Sequence, residues 1–146
     1  MVRPLALLLT LLVAAACGGS SRAASTKSLT PQTAVAKGRL HVVMSAQSHH
    51  PKIGHTWTYS VRVTNAATGK PVRATIHLYF FVGGLGTVGQ VGRHTVSNGA
   101  WKETIPAKGP DAFPLTAVGQ PLILRATVTA KGYRPATVGW KVEVVK

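Results

Sequence analysis

The stretch Thr-Trp-Thr-Tyr-Ser-Val-Arg-Val-Thr, residues 56–64, decides how the rest of the sequence is interpreted. Its aromatic and β-branched residues at odd positions alternate with polar residues at even positions. Successive side chains of a β-strand point to opposite faces, so a period of two predicts a strand with one buried face. Trp57 is therefore an expected anchor of the hydrophobic core.

The same alternation recurs along the chain and predicts an all-β fold. The predicted strands are residues 39–46, 56–65, 72–82, 88–96, 100–105, 121–130 and 136–145. Seven short strands in one domain predict an immunoglobulin-like β-sandwich of two sheets. Phe80 and Trp140, on the apolar faces of their strands, are two further expected core anchors.

Turn residues separate the predicted strands. Asn98-Gly99 is the strongest short hairpin signal in the chain, and it predicts a hairpin between residues 91–96 and 101–105. The glycine-rich run at residues 83–89 predicts a tight turn or an edge bulge, because more strand follows it. A nucleotide-binding loop would instead be followed by a helix.

The N-terminus has the composition of a secretory signal peptide. Arg3 precedes an apolar run that begins at Leu5 and ends in small residues. The run is too short to cross a hydrocarbon core as a helix. The sequence Ala-Ala-Ala-Cys-Gly at residues 14–18 resembles the lipobox of bacterial lipoproteins. That resemblance implies cleavage before Cys17 and attachment of lipid, such as palmitate, to its thiol. The alternative is an ordinary Ala-x-Ala cleavage site with Cys17 incidental.

These features predict a signal peptide at residues 1–16, a lipidated Cys17 with a flexible linker at 17–38, and the sandwich domain at 39–146. The linker is predicted from its Gly, Ser, Ala and Thr content and from the lack of apolar periodicity. Cys17 is the only cysteine, so an exported chain would have no internal disulfide. The expected location is the extracytoplasmic face of the cell membrane, with the bilayer as a partner through Cys17.

The charge balance favours acidic partners. The chain has 17 Lys and Arg residues against 3 Asp and Glu residues, for a formal charge of +14. Anionic envelope polymers are therefore expected ligands, and another envelope protein is the alternative. Nucleic acid is not expected, because the chain is exported and has no nucleic-acid-binding motif. So few carboxylates, with no nucleophile motif around any serine, predict a protein that is not an enzyme.

A family resemblance supports the fold. The run Gly-His-Thr-Trp-Thr-Tyr-Ser-Val-Arg-Val at residues 54–63, followed by Thr-Gly-Lys-Pro-Val at 68–72, resembles bacterial extracytoplasmic immunoglobulin-like domains of the YtkA-like group. The resemblance extends over about residues 39–146 and consists of turn and strand signatures. It implies a sandwich fold, and it implies little about ligands, because this chain lacks the Met-rich segments of that group.

The sequence contains two candidate sites. The first is a histidine loop, formed by His49, His50 and His55, whose imidazoles could bind copper or zinc. The competing interpretation is a solvated basic loop without a cofactor. The alternation places the nearby Met44 inside and His41 outside, so these two residues should not share a metal. The second is a set of outward strand residues that would form an anion-binding or docking surface. Its members are Arg62, Arg73, His77, Tyr79, Phe81, Arg125 and Lys141.

Overall fold

The computed structural model describes residues 37–146, and the predicted signal peptide, Cys17 and most of the predicted linker lie outside this range. The described strands are β1 Leu40–Ala46, β2 Trp57–Asn65, β3 Ala74–Val82, β4 Gly86–Val96, β5 Ala100–Ile105, β6 Pro121–Thr129 and β7 Ala136–Glu143. A short 3-10 turn at Leu115–Ala117 interrupts the long loop before β6. Within residues 37–146 no helix is long and apolar enough to cross a membrane.

The strands form two sheets, and this arrangement confirms the predicted all-β sandwich. One sheet has the order β1-β2-β5 and the other has the order β4-β3-β6-β7. Every neighbouring pair is antiparallel. In constant-type immunoglobulin domains the fourth strand belongs to the sheet of the first, second and fifth strands. Here β4 instead pairs with β3.

The predicted hairpin at Asn98-Gly99 is wrong. β4 pairs with β3, and β5 pairs with β2, so the connection at Gly99 carries the chain from one sheet to the other. Gly99 has a φ of +67°, as the hairpin signal requires, but its carbonyl accepts a hydrogen bond from the backbone N–H of Val63 at 2.7 Å. The Asn-Gly pair therefore marks a tight turn correctly, while the sheet partners of the flanking strands are set elsewhere.

The core lies between the two sheets and follows the predicted alternation. Trp57 is only 1% exposed, and its indole N–H donates to the carbonyl of Ser48 at 3.0 Å. Met44 is buried and His41 is exposed, as expected. Phe80 and Trp140 are half-buried and pack against the core from its margin, so they are flanking residues rather than central anchors.

Candidate functional site

The outer face of the four-stranded sheet brings most of the predicted surface residues together. On β3, Ile76 and Leu78 are fully buried, whereas His77, Tyr79 and Phe81 point to the opposite side and are half-buried. This is the direct consequence of the strand's period of two. Three rings therefore lie in a row along the outside of one central strand.

Arg125 on the neighbouring strand β6 lies across this row of rings. In the register of the sheet it is opposite Tyr79, and its guanidinium carbon is 3.8 Å from the centroid of the Phe81 ring. A guanidinium over an aromatic face is attracted by the ring quadrupole, by about 0.5–1 kcal/mol at an exposed site. The contact therefore holds a cation in a defined position on the face, with its N–H groups available to a ligand.

Further cations lie on the same side of the sheet as Arg125. Arg93 on β4 is paired with His77, and Lys141 on β7 is paired with Ile123, which is next but one to Arg125 along β6. Arg73 lies just before β3, beside a shallow depression that Lys131 also lines. The name cationic face is used for this surface, whose members are Arg73, His77, Tyr79, Phe81, Arg93, Arg125 and Lys141.

Two residues define the limits of the cationic face. Arg62 does not belong to it, because it lies on β2 and points outward from the other sheet. Glu143, at the end of β7, follows Lys141 on the same side of the strand, and its carboxylate is 3.8 Å from His50. The only carboxylate on the outer side of β7 is thus at the margin and beside a histidine.

The side chains of the histidine loop do not converge on one point. The Nδ1–H of His49 donates to the carbonyl of Lys141 at 2.8 Å, and its ring stacks on Trp140 with centroids 4.2 Å apart. His50 faces Glu143, and His55 is exposed on the turn before β2. Across residues 37–146, no three or more His, Cys, Asp or Glu residues are grouped so that they could hold a metal ion.

Calorimetry tests whether the histidine loop binds metal. We expect copper and zinc to give the same heats with the chain and with a His49/His50/His55 triple alanine variant. The imidazoles of His49 and His50 have separate partners, and His55 is exposed on the turn before β2. Saturable binding to the unmodified chain that is lost in the triple variant would contradict this expectation and support the copper or zinc hypothesis.

One polar cluster was not identified from the sequence. Between the sheets, Glu103 on β5 accepts hydrogen bonds at Oε2 from the hydroxyl of Tyr59 and from the indole N–H of Trp101. The ring of His94 on β4 stacks on Trp101 at a centroid distance of 3.9 Å, and its Nε2 is 3.8 Å from Glu103 Oε2. Burial, reinforced by the hydrogen bond to Glu103, raises the pKa of the Tyr59 phenol far above its usual value. Tyr59 is therefore a permanent hydrogen-bond donor to this carboxylate.

The alternation contains the signal that would have located this cluster. Glu103 lies on the same side of β5 as Trp101 and Ile105, and His94 lies on the same side of β4 as the buried Val96. An acid and a histidine on the inward faces of two strands are unusual, because ionisable groups are rarely buried without a partner. That these two strands would meet through their side chains could be learned only from the sheet topology.

The fold defines the protein as a small β-sandwich of two antiparallel sheets. No protein-family model matches the chain, so the resemblance to YtkA-like domains stays a prediction. No curated protein matches it either.

Several solved structures are similar to the chain. A domain of the outer membrane lipoprotein Omp28 from Porphyromonas gingivalis is 11% identical with a TM-score of 0.48, over 75% of this chain and 92% of that domain. The sporulation control protein Spo0M from Bacillus subtilis is 15% identical with a TM-score of 0.43, over 75% of this chain and 50% of that protein. Neither likeness transfers a function to this chain.

Proposed function

We propose that the chain is a non-catalytic binding module, anchored by lipid at Cys17 on the extracytoplasmic side of the membrane, whose cationic face binds anionic polymers of the cell envelope. The observation that carries this proposal is the guanidinium of Arg125 held 3.8 Å above the Phe81 ring. Lys141 on the neighbouring strand β7 and Arg93 on β4, on the far side of β3, are presented on the same side of the sheet. The proposed anchor would keep the module where such polymers are found.

The arrangement of the cations supports a repeating anionic ligand. Arg93, Arg125 and Lys141 lie on three different strands of one sheet, so their charges are spread across the strands rather than gathered at one point. Neighbouring strands are about 4.8 Å apart, which spaces the cations over a surface that an extended polymer could cross. Arginine recognises phosphate and carboxylate through parallel N–H bonds, and several weak contacts to one chain add up.

A binding assay with long-chain polyphosphate tests this proposal. In the mature chain, the double variant Arg125→Ala/Lys141→Ala should weaken binding by about tenfold at low salt, because two charge-assisted contacts are removed. Binding by the unmodified chain should also fall steeply as salt is raised, since polyanion binding releases counterions.

The opposite sheet offers a matched control. Arg62 and Lys102 are exposed on the outer side of the β1-β2-β5 sheet, so Arg62→Ala/Lys102→Ala removes the same charge from a different face. The proposal requires this control to bind nearly as well as the unmodified chain. Equal weakening of both double variants would show non-specific attraction to net charge. Salt-resistant co-purification with one envelope protein would instead show that the aromatic row docks on a protein.

A further inference from the structure

A cleft of about 700 Å³ lies on the open side of the sandwich, away from the cationic face. It forms there because β4 and β5 are edge strands of different sheets and do not pair with each other. The loop at residues 106–120 covers one side of it. Its volume is within the range of about 300–1,000 Å³ that is typical of small-molecule sites.

The lining of the cleft is mainly apolar and is held in place by the core. Phe113, from the covering loop, packs edge-on against Trp57 and Phe80, with ring centroids 5.8 and 5.7 Å apart. At the mouth, Leu85 is 76% exposed and Val88 is 50% exposed. The inner wall is therefore preformed, while the rim presents apolar side chains that are largely exposed to water.

The charge of the cleft is opposite to that of the protein. Two of the three acidic residues of the whole chain, Glu103 and Asp111, line it. No Lys, Arg or His residue within 37–146 is among its lining residues. The chain has a formal charge of +14, so its surface as a whole repels cations. The cleft is a local exception, because its two carboxylates attract a cation.

Glu103 is a fixed anion with a free oxygen. Its Oε2 accepts from Tyr59 and Trp101, whereas Oε1 has no hydrogen-bond partner among residues 37–146. The two donors on Oε2 hold the carboxylate in place, and the Nε2 of His94 lies 3.8 Å from the same oxygen, so Oε1 is the atom left for a ligand. Such a pre-oriented group loses little conformational entropy when it binds a ligand.

We infer that this cleft binds a small amphiphilic organic cation, an amine with an apolar body. The apolar body lies against Phe80, Val88 and Phe113, and the ammonium lies at the carboxylates of Glu103 and Asp111. Removal of the apolar body from water drives binding, and the ammonium–carboxylate contact selects the charge. This site involves none of the residues of the cationic face, so it is independent of the proposed polymer binding.

Titration with octylammonium tests the inference, with octanol and octanoate as ligands of the same length but different charge. The mature chain, followed by NMR, should bind octylammonium about tenfold more tightly than octanol, and octanoate more weakly still. The shifted resonances should belong to residues of the cleft. Equal binding of the three ligands, or no saturable binding of octylammonium at millimolar concentration, would overturn the inference.

Two carboxylate variants test whether the preference for a cationic ligand comes from the cleft. Asp111→Asn should weaken octylammonium binding by about fivefold and leave octanol binding unchanged, because only the ionic contact is lost. Glu143→Gln makes the same change in net charge but lies outside the cleft, at the end of β7, so it should bind octylammonium like the unmodified chain. If the two variants lose affinity equally, the selectivity comes from the overall charge and not from this site.

Discussion

Gly99→Ala should destabilise the domain by about 4 kcal/mol or prevent it from folding, which would place it among the most damaging single substitutions. A Cβ atom at this position would lie 2.3 Å from the backbone oxygen of Val63 and 3.0 Å from the backbone nitrogen of Val72. These two atoms are joined by a hydrogen bond of 3.2 Å, so neither can retreat without a cost elsewhere. The methyl group would therefore force apart the turn that carries the chain between the two sheets.

Gly69→Ala is the matched control for this prediction. Gly69 has a φ of +68°, almost the same as Gly99, but a Cβ there would meet nothing within 4 Å. Its substitution should cost only the backbone strain of a left-handed alanine, about 1–2 kcal/mol. Urea unfolding of both variants separates strain from steric conflict. Equal midpoints for the two would mean that the structure around Gly99 relaxes freely.

Cys17→Ser should release the protein from the membrane, the largest functional effect that we expect from one substitution. Cys17 lies outside the described residues, so this prediction is based on the signal peptide and the lipobox-like sequence alone. A buried acyl chain contributes about 0.8 kcal/mol per methylene, and stable anchoring requires more than one chain. Without lipid, only weak electrostatic adhesion of a basic protein would remain, and it should disappear in high salt.

Membrane fractionation and intact-mass measurement test the anchor together. The unmodified protein should sediment with membranes in high salt and carry the mass of the added lipid, while Cys17→Ser should show neither property. Ser20→Ala, three residues further on, is the control and should behave like the unmodified protein. If Cys17→Ser stays membrane-bound with no mass difference beyond the substitution, the anchor prediction fails.

The positions of the strands could be predicted from the sequence, whereas the pairing of the strands could not. All seven strands lie within a few residues of their predicted positions, because alternation is a property of each strand by itself. The Asn98-Gly99 turn was also located correctly, since its glycine must adopt a positive φ. The hairpin predicted from this turn was wrong, because such a turn can join two strands of the same sheet or two strands of different sheets.

The candidate surfaces show the same division. The outward direction of His77, Tyr79 and Phe81 follows from the period of two, and so does the outward direction of Arg125. That Arg125 lies over Phe81, and that Arg62 is on another face, follows from sheet order and register. The separate contacts of His49 and His50, and the exposed position of His55, depend on the path of the loop, which carries no periodic signal.

By itself, the sequence determined the all-β class, the strand positions and the side of each strand that is buried. Each of these depends on composition or on a repeat within a few residues. The tertiary structure alone decided which strands are neighbours, and with this the pairing of His94 with Glu103 and the meeting of Glu103 and Asp111 at one cleft. A period of two specifies the face of a side chain but not what lies opposite, because that depends on long-range pairing and on the packing of the whole core.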